Sequence, residues 1–121
     1  MLPFLFLIAV RPVVGFLDVV CNSDGNSNVQ TAVVNLVSAY QDIISADYPD
    51  AVGQAALAQG YLTCVIGLQA SSVESSNLLL ARDYIGDAIT EINLSYFGAA
   101  QQYLDDACDQ LSPVCVGTTS G

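Results

Sequence analysis

The four cysteines carry the clearest chemical signal in the sequence. Cys21, Cys64, Cys108 and Cys115 are widely spaced, and no two of them lie two to four residues apart. Structural zinc sites use such short spacings, and the chain has no histidine, so we expect no metal site. An even number of cysteines predicts two disulfides. Sequence alone leaves three pairings open, and we favour Cys21–Cys64 with Cys108–Cys115 because both join near neighbours along the chain.

The residue types that are missing exclude most catalytic mechanisms. The 121-residue chain contains no Lys and no His. It therefore has no Ser-His or Cys-His pair, no imidazole metal ligand and no lysine for a Schiff base or a phosphate loop. Carboxylates alone suffice for glycoside hydrolysis, but those pairs lie in clefts and not on exposed helix faces. The sequence predicts a protein that is not an enzyme and needs no cofactor.

Acidic residues dominate the charge of the chain. Twelve Asp and Glu residues against two Arg give a net charge of −10. Asp83, Asp87 and Glu91 recur at four-residue spacing, which places them on one helix face, and Asp105 and Asp109 repeat this spacing. We interpret these faces as solvated, with weak cation capture or docking of a basic partner as alternatives. The charge disfavours nucleic acid and anionic lipid as partners because it repels both.

Small residues and tyrosines raise the question of a ligand. The segment from Ala51 to Gly60 is rich in Ala and Gly. Such residues let helices pack closely, which is the common outcome, or they leave an apolar pocket. In the second case the protein would carry a small apolar ligand, and tyrosine hydroxyls would act as polar groups in the pocket. The candidate ligand-binding residues are Tyr40, Tyr61, Tyr84 and Tyr103.

Two short motifs concern modification and ion binding. Asn93-Leu94-Ser95 is the only N-glycosylation sequon, and it predicts a glycan on Asn93 in a surface turn if the source is eukaryotic. Residues 21–28 alternate polar side chains like a calcium loop. An EF-hand loop needs Gly at its sixth position and Glu at its twelfth, and a loop that starts at Asn22 or Asp24 has neither. We interpret this segment as a turn that leads into a helix cap at Ser27.

Four segments carry apolar residues at alternating spacings of three and four, which is typical of amphipathic helices. We predict helices over about 28–46, 49–68, 72–93 and 96–111, followed by a tail over 112–121. Capping boxes begin at Ser27 and at Ser71, and Pro49 separates the first two helices, with Asp47 or Asp50 at the second start. The apolar sets are Val29, Val33, Leu36, Tyr40 and Ile43; Ala51, Ala55, Ala58, Leu62 and Val65; Leu78, Ala81, Ile85, Ala88 and Ile92; and Phe97, Ala100, Leu104, Ala107 and Leu111.

Short links between helices of this length favour antiparallel neighbours. The sequence therefore predicts an all-α protein, an antiparallel up-down four-helix bundle. In that topology the start of the first helix and the ends of the second and fourth lie at one end of the bundle. All four cysteines then meet there, and two disulfides brace that end.

The amino terminus predicts secretion. Leu2 to Val10 is apolar apart from Pro3, and it is too short to cross a bilayer, which needs about 20 residues. Small residues at Val13 and Gly15 fit a cleavage site, so we predict a signal peptide over 1–15. The alternative is a buried N-terminal strand or helix. The remaining 16–121 form one domain, in which Arg82 is the only basic residue.

These observations predict a secreted, extracellular binding protein. It would bind a small apolar ligand in the bundle core or a protein partner at the acidic face. An alternative is a structural or protective component of a protease-rich secretion, because Arg82 is the single trypsin-like cleavage site. An inhibitor of a secreted enzyme is a further alternative. In layout the chain resembles plant invertase and pectin methylesterase inhibitors, secreted four-helix bundles with four cysteines, although it lacks their early close cysteine pair.

Overall fold

A computed structural model describes residues 19–111, and this part of the chain contains four helices and no strand. The helices are α1 (Gly25–Ile44), α2 (Tyr48–Val65), α3 (Ser75–Asn93) and α4 (Phe97–Leu111). The all-α class and the presence of four helices are confirmed. The predicted signal peptide over 1–15 and the tail over 112–121 lie outside the described residues. None of the four helices combines the length and the apolar character needed to cross a membrane.

The four helices enclose one core. Helix α1 packs most extensively on α2, and α3 on α4, while α2–α3 and α1–α4 contacts complete the arrangement. The apolar residues that the helical spacing selects are all buried except Tyr40 and Phe97, which are half-buried. The 3.6-residue period therefore determined which face of each helix is inside.

Alanine is the most frequent residue in the core between the helices. Each helix contributes one large aliphatic side chain that is 0% exposed: Leu36, Leu62, Ile85 and Leu104. Nine alanines are also 0% exposed, namely Ala32, Ala39, Ala51, Ala55, Ala58, Ala81, Ala88, Ala100 and Ala107. Because a methyl group occupies little volume, the helix axes can approach closely and the interior can reach normal packing density. The small residues of α2 that face inward thus serve close packing.

Helix α1 begins earlier than the sequence predicted. Its N-cap is Asp24, whose carboxylate accepts hydrogen bonds from the backbone N–H and from the hydroxyl of Ser27, both at 3.0 Å. The predicted cap at Ser27 is therefore wrong, because the Asp24 carboxylate caps the helix first and leaves Ser27 inside the first turn.

The starts of the next two helices differ in their chemistry. Asp47 caps α2 by accepting from the backbone N–H of Asp50 at 3.4 Å, with a proline in the first turn, as predicted. Helix α3 begins after Glu74 without a side-chain cap, so the predicted capping box at Ser71 is wrong. Ser71 instead exchanges hydrogen bonds with the backbone of Val73 in the loop before the helix.

Helices α1 and α3 end in the same type of turn. Ala46 (φ 63°) and Ser95 (φ 66°) adopt the left-handed conformation just beyond each helix. The N–H of Asp47 then donates to the carbonyl of Asp42 at 2.8 Å, and the N–H of Tyr96 to the carbonyl of Glu91 at 2.8 Å. These are Schellman motifs, which satisfy the last helical carbonyls and reverse the chain. Each motif leads within two residues into the next helix.

One predicted disulfide is present among the described residues. Cys21, in the segment before α1, is bonded to Cys64 in the last turn of α2, with their Cα atoms 5.8 Å apart. The bond places the start of α1 and the end of α2 at the same end of the molecule. Cys108 is buried in α4, and its predicted partner Cys115 lies outside the described residues, so that pairing stays a prediction.

A buried amide network reinforces the same end. Asn28 is 0% exposed, and its side chain accepts from the N–H of Asn22 at 2.8 Å and donates to the carbonyl of Asn22 at 3.0 Å. It also donates to Oε1 of Gln69 at 2.6 Å. A Cβ atom on Gly25 would overlap the carbonyl oxygen of Ala70. The polar segment before α1 therefore holds the α2–α3 loop in place.

Candidate functional site

Two adjacent pockets open on the outer surface where α2 and α3 meet, and we call them together the α2–α3 groove. The larger has a volume of about 360 Å³ and is lined by Val52, Ala56, Gln59, Gly86, Ile89 and Asn93. The smaller, of about 290 Å³, continues past Val52 and Asn93 towards Tyr48 and Phe97. Since both pockets share Val52 and Asn93, they form one extended depression.

Small residues on both helices create the groove. Ala56 of α2 and Gly86 of α3 offer little or no side chain to fill it. A Cβ atom on Gly86 would come within 3.2 Å of Nε2 of Gln59, so glycine leaves room for that amide. Gln59 uses the room to donate to the carbonyl of Arg82 at 3.3 Å. The amide thereby links α2 to α3 and lies in the wall of the larger pocket.

The lining of the larger pocket is apolar with two amides and no charge. Val52, Ala56 and Ile89 provide aliphatic surface, and Gln59 and Asn93 provide hydrogen-bonding groups. Small-molecule sites are typically apolar depressions of about 300–1,000 Å³ with a few polar groups that orient the ligand. The lining has no nucleophile and no acid–base pair, so its chemistry is suited to holding a neutral molecule.

An aromatic pair borders the smaller pocket. The rings of Tyr48 and Phe97 stack with centroids 3.9 Å apart and planes 4° apart. Each is the first residue of its helix, so the stack joins the start of α2 to the start of α4. Sequence reasoning missed this contact. In both helices the ring stands two residues after a left-handed turn residue, Ala46 or Ser95.

The four predicted ligand-binding tyrosines are half-buried, and none of them lines either pocket of the groove. Tyr84 and Tyr103 pack together with ring centroids 6.2 Å apart. Tyr40 lies close to Asp105, and burial together with the negative charge of that carboxylate raises the pKa of Tyr40. Tyr61 packs against the core from α2.

The predicted acidic faces differ in their exposure. Asp83 and Asp87 are exposed on α3 and Glu91 is partly so, which agrees with a solvated face. On α4, Asp109 is exposed but Asp105 is only 7% exposed, so a solvated face is wrong for Asp105. The reason is its position beside the buried Leu104, where the packing of α4 encloses its side chain.

A second group of acids comes together at the turn between α1 and α2. Carboxylate oxygens of Asp42, Asp47 and Asp50 all lie within 4.8 Å of one another. A hydrogen bond with Asp50, burial and the charges of Asp50 and Asp47 raise the pKa of Asp42 to about 6. Sequence reasoning did not group these residues, because their proximity depends on the reversal at Ala46. The raised pKa means that Asp42 keeps its proton to a higher pH than an isolated aspartate does.

Two further predicted residues have defined positions. Arg82 is half-buried on α3, and its guanidinium donates to Oγ1 of Thr63 on α2 at 3.5 Å. Asn93 of the sequon is exposed at the last position of α3 and lines both pockets. A glycan on Asn93, which stays a prediction, would therefore project from the middle of the α2–α3 groove.

The chain shows no significant similarity to any protein-family model, curated protein or solved structure with which it was compared. Its function therefore has to follow from the geometry and chemistry of the molecule itself.

Proposed function

We propose that the protein is a secreted, non-enzymatic binding protein that holds a small apolar ligand in the α2–α3 groove. The supporting observation is the pair of open pockets that share Val52 and Asn93, whose lining residues carry no charge and in the larger pocket are mostly apolar. The sequence predicted a ligand in the bundle core or a protein partner at the acidic face. The outer groove is the better candidate because the core positions between the helices are filled by fully buried side chains.

The disulfide supports the proposed compartment and topology. A Cys21–Cys64 bond is compatible with an oxidising environment such as the extracellular space. It joins the start of α1 to the end of α2, as an antiparallel pair requires, and the Schellman turns at Ala46 and Ser95 are suited to tight helical hairpins. An up-down antiparallel bundle accounts for both features.

A neutral fluorescent probe tests the proposal. N-phenyl-1-naphthylamine is apolar and uncharged, so the negative charge of the protein does not repel it. We expect its fluorescence to rise on titration with the disulfide-bonded protein. Ala56→Leu should weaken binding by about tenfold or more, because the added side chain occupies the larger pocket and tenfold corresponds to about 1.4 kcal/mol.

The matched control is Ala99→Leu, the same substitution at an exposed position of α4. It should leave probe binding unchanged. Equal affinities of the wild type and Ala56→Leu, with intact helical circular dichroism, would refute the groove. Failure of the wild type to bind would refute the small-ligand function.

A protein partner is the second candidate, favoured by exposed apolar residues in two turns. Ile44, Leu94 and Tyr96 are 59%, 56% and 61% exposed. They flank the turns that the Tyr48–Phe97 stack connects, and Asp42, Asp47 and Asp50 lie at one of these turns. A basic partner with apolar side chains would suit this end of the molecule. Its affinity should fall with rising salt and with Tyr96→Ser, whereas the probe affinity of the groove should not change.

A further inference from the structure

The two helical hairpins have the same pattern of burial at a constant spacing of 49 residues. All five buried residues of α3 correspond to buried residues of α1. The corresponding pairs are Val29 and Leu78, Ala32 and Ala81, Leu36 and Ile85, Ala39 and Ala88, and Ile43 and Ile92.

The same spacing relates α2 to α4 and one turn to the other. Four buried residues of α2 correspond to buried residues of α4. The left-handed residues Ala46 and Ser95 also correspond, as do the Schellman hydrogen bonds that surround them. The α2–α4 pairs are Ala51 and Ala100, Ala55 and Leu104, Ala58 and Ala107, and Leu62 and Leu111.

Tyr48 and Phe97 are separated by the same 49 residues, and their rings are in face-to-face contact. In an object with two-fold symmetry, a residue touches its own equivalent only near the symmetry axis. The stack therefore lies near a pseudo-two-fold axis that relates hairpin α1–α2 to hairpin α3–α4. Every surface between the hairpins accordingly occurs twice, once at α2–α3 and once at α4–α1.

The two equivalent surfaces differ in side-chain size and charge. Ile89 and Ala56 of the α2–α3 groove correspond to Tyr40 and Asp105 on the α4–α1 side. Asp105 is buried and Tyr40 is half-buried and close to it. Gly86 corresponds to Val37, which also packs against the core. At α2–α3, smaller and uncharged residues stand where the other side has a phenol and a carboxylate, so their side chains leave more room.

We infer that the α2–α3 groove is a site for a neutral ring compound bearing a hydroxyl or similar hydrogen-bonding group, whose ring takes the space that Tyr40 occupies on the pseudo-symmetric side. This inference rests on the proposed function and specifies its ligand class. The larger pocket has no charged group to compensate a charged ligand, and burying an unpaired charge is costly. The amide of Gln59 can bond the hydroxyl, and so can the amide of Asn93 in protein that carries no glycan there.

A pair of ligands that differ only in charge tests the ligand class. We expect 2-naphthol to displace N-phenyl-1-naphthylamine at pH 7, and 2-naphthoate to be weaker by about tenfold or more, because its carboxylate would be buried without a partner and repelled by the acidic protein. Equal competition by the two compounds would overturn the assignment to a neutral ligand. Failure of the probe itself to bind the wild type would refute the proposed function instead.

Two variants test the relation between the two sides. Ile89→Tyr places the residue of the α4–α1 side in the groove, and it should abolish binding of both the probe and 2-naphthol, the latter measured by calorimetry, while helical circular dichroism is retained. The reciprocal variant, Tyr40→Ile with Asp105→Ala, should open the equivalent surface and add a second probe site to the first. Retention of naphthol binding by a folded Ile89→Tyr protein would overturn the inference. If Ile89→Tyr does not fold, unchanged stoichiometry in the folded reciprocal variant would do so.

Discussion

Tyr48 and Phe97 stack with their ring planes 4° apart, and each is the first residue of a helix that follows a left-handed turn. The contact joins the start of α2 to the start of α4. It also borders the smaller pocket of the α2–α3 groove. The stack therefore links two helix starts beside the groove.

The stack should contribute measurably to stability. We expect Phe97→Leu to lower the free energy of unfolding, with a coupling to Tyr48→Leu of about 0.5–1.5 kcal/mol in a double-mutant cycle, as is typical of aromatic pairs. Urea unfolding followed by circular dichroism measures both. Tyr96→Leu is the control, because Tyr96 is 61% exposed, and its effect should stay within about 0.5 kcal/mol. Additive effects of the Tyr48 and Phe97 substitutions would contradict a specific interaction.

Two glycines should respond oppositely to alanine. A Cβ atom on Gly25 would overlap the carbonyl oxygen of Ala70, so Gly25→Ala should destabilise by about 1–3 kcal/mol through backbone displacement. Gly53 lies inside α2 with nothing within 4 Å of its added Cβ. Gly53→Ala should therefore stabilise by about 0.5–1 kcal/mol, because alanine favours the helix. Thermal unfolding of both variants measures the difference, and a Gly25→Ala protein as stable as wild type would disprove the tight contact.

The buried amide of Asn28 should matter more than its counterpart Asn77, which lies 49 residues later near the start of α3. Asn28→Ala leaves the N–H of Asn22 and Oε1 of Gln69 without their partner and should cost about 1–3 kcal/mol. Asn77→Ala should cost much less, because Asn77 is not fully buried. Amide hydrogen exchange should show faster exchange at Asn22 in the first variant alone. Equal losses of stability in the two variants would contradict a special role of the network.

Asp42 should make stability depend on pH. Its pKa is raised from 3.8 to about 6 in the folded protein, so between these values the folded state binds more protons than the unfolded state. The contribution of Asp42 to the free energy of unfolding is therefore greatest near pH 4 and decreases as pH rises to about 7. Asp42→Asn should reduce this decrease and should stabilise the protein at pH 7.

Chemical denaturation at several pH values between 4 and 7 measures this effect. Asp83→Asn, at an exposed position of α3, is the control that removes the same charge outside the cluster. It should keep the pH dependence of the wild type. Identical pH profiles for Asp42→Asn and the wild type would show that the pKa of Asp42 is not raised in the folded protein.

Removing the Cys21–Cys64 bond should destabilise the fold strongly. The cysteines are 43 residues apart, and the chain-entropy model assigns about 4 kcal/mol to a loop of this length. The double variant Cys21→Ala with Cys64→Ala tests this value and leaves the other two cysteines unchanged. A shift in the urea midpoint measures the loss. Because domains of this size have total stabilities of about 5–15 kcal/mol, a negligible shift would mean that the core alone holds the hairpin together.

The sequence by itself determined the helices and their inward faces, and it favoured the Cys21–Cys64 pairing among three without deciding it. These features follow from local or periodic information: the spacing of apolar residues, the break at Pro49 and the cysteine count. Cap positions do not follow from this information, because several side chains near a helix start can accept hydrogen bonds from the same free N–H groups. At the start of α1 the cap is Asp24 and not Ser27.

Only the tertiary structure decided which surfaces are open and which acids interact. The groove depends on Ala56 meeting Gly86 across two helices, and the raised pKa of Asp42 depends on the reversal at Ala46. The burial of Asp105 depends on how α4 sits in the bundle. A helical period specifies which face of a helix turns inward. It does not specify the angle at which neighbouring helices cross or how far one is shifted along the other. Contacts between side chains distant in sequence are set by those two quantities, and the packing of the whole core fixes them.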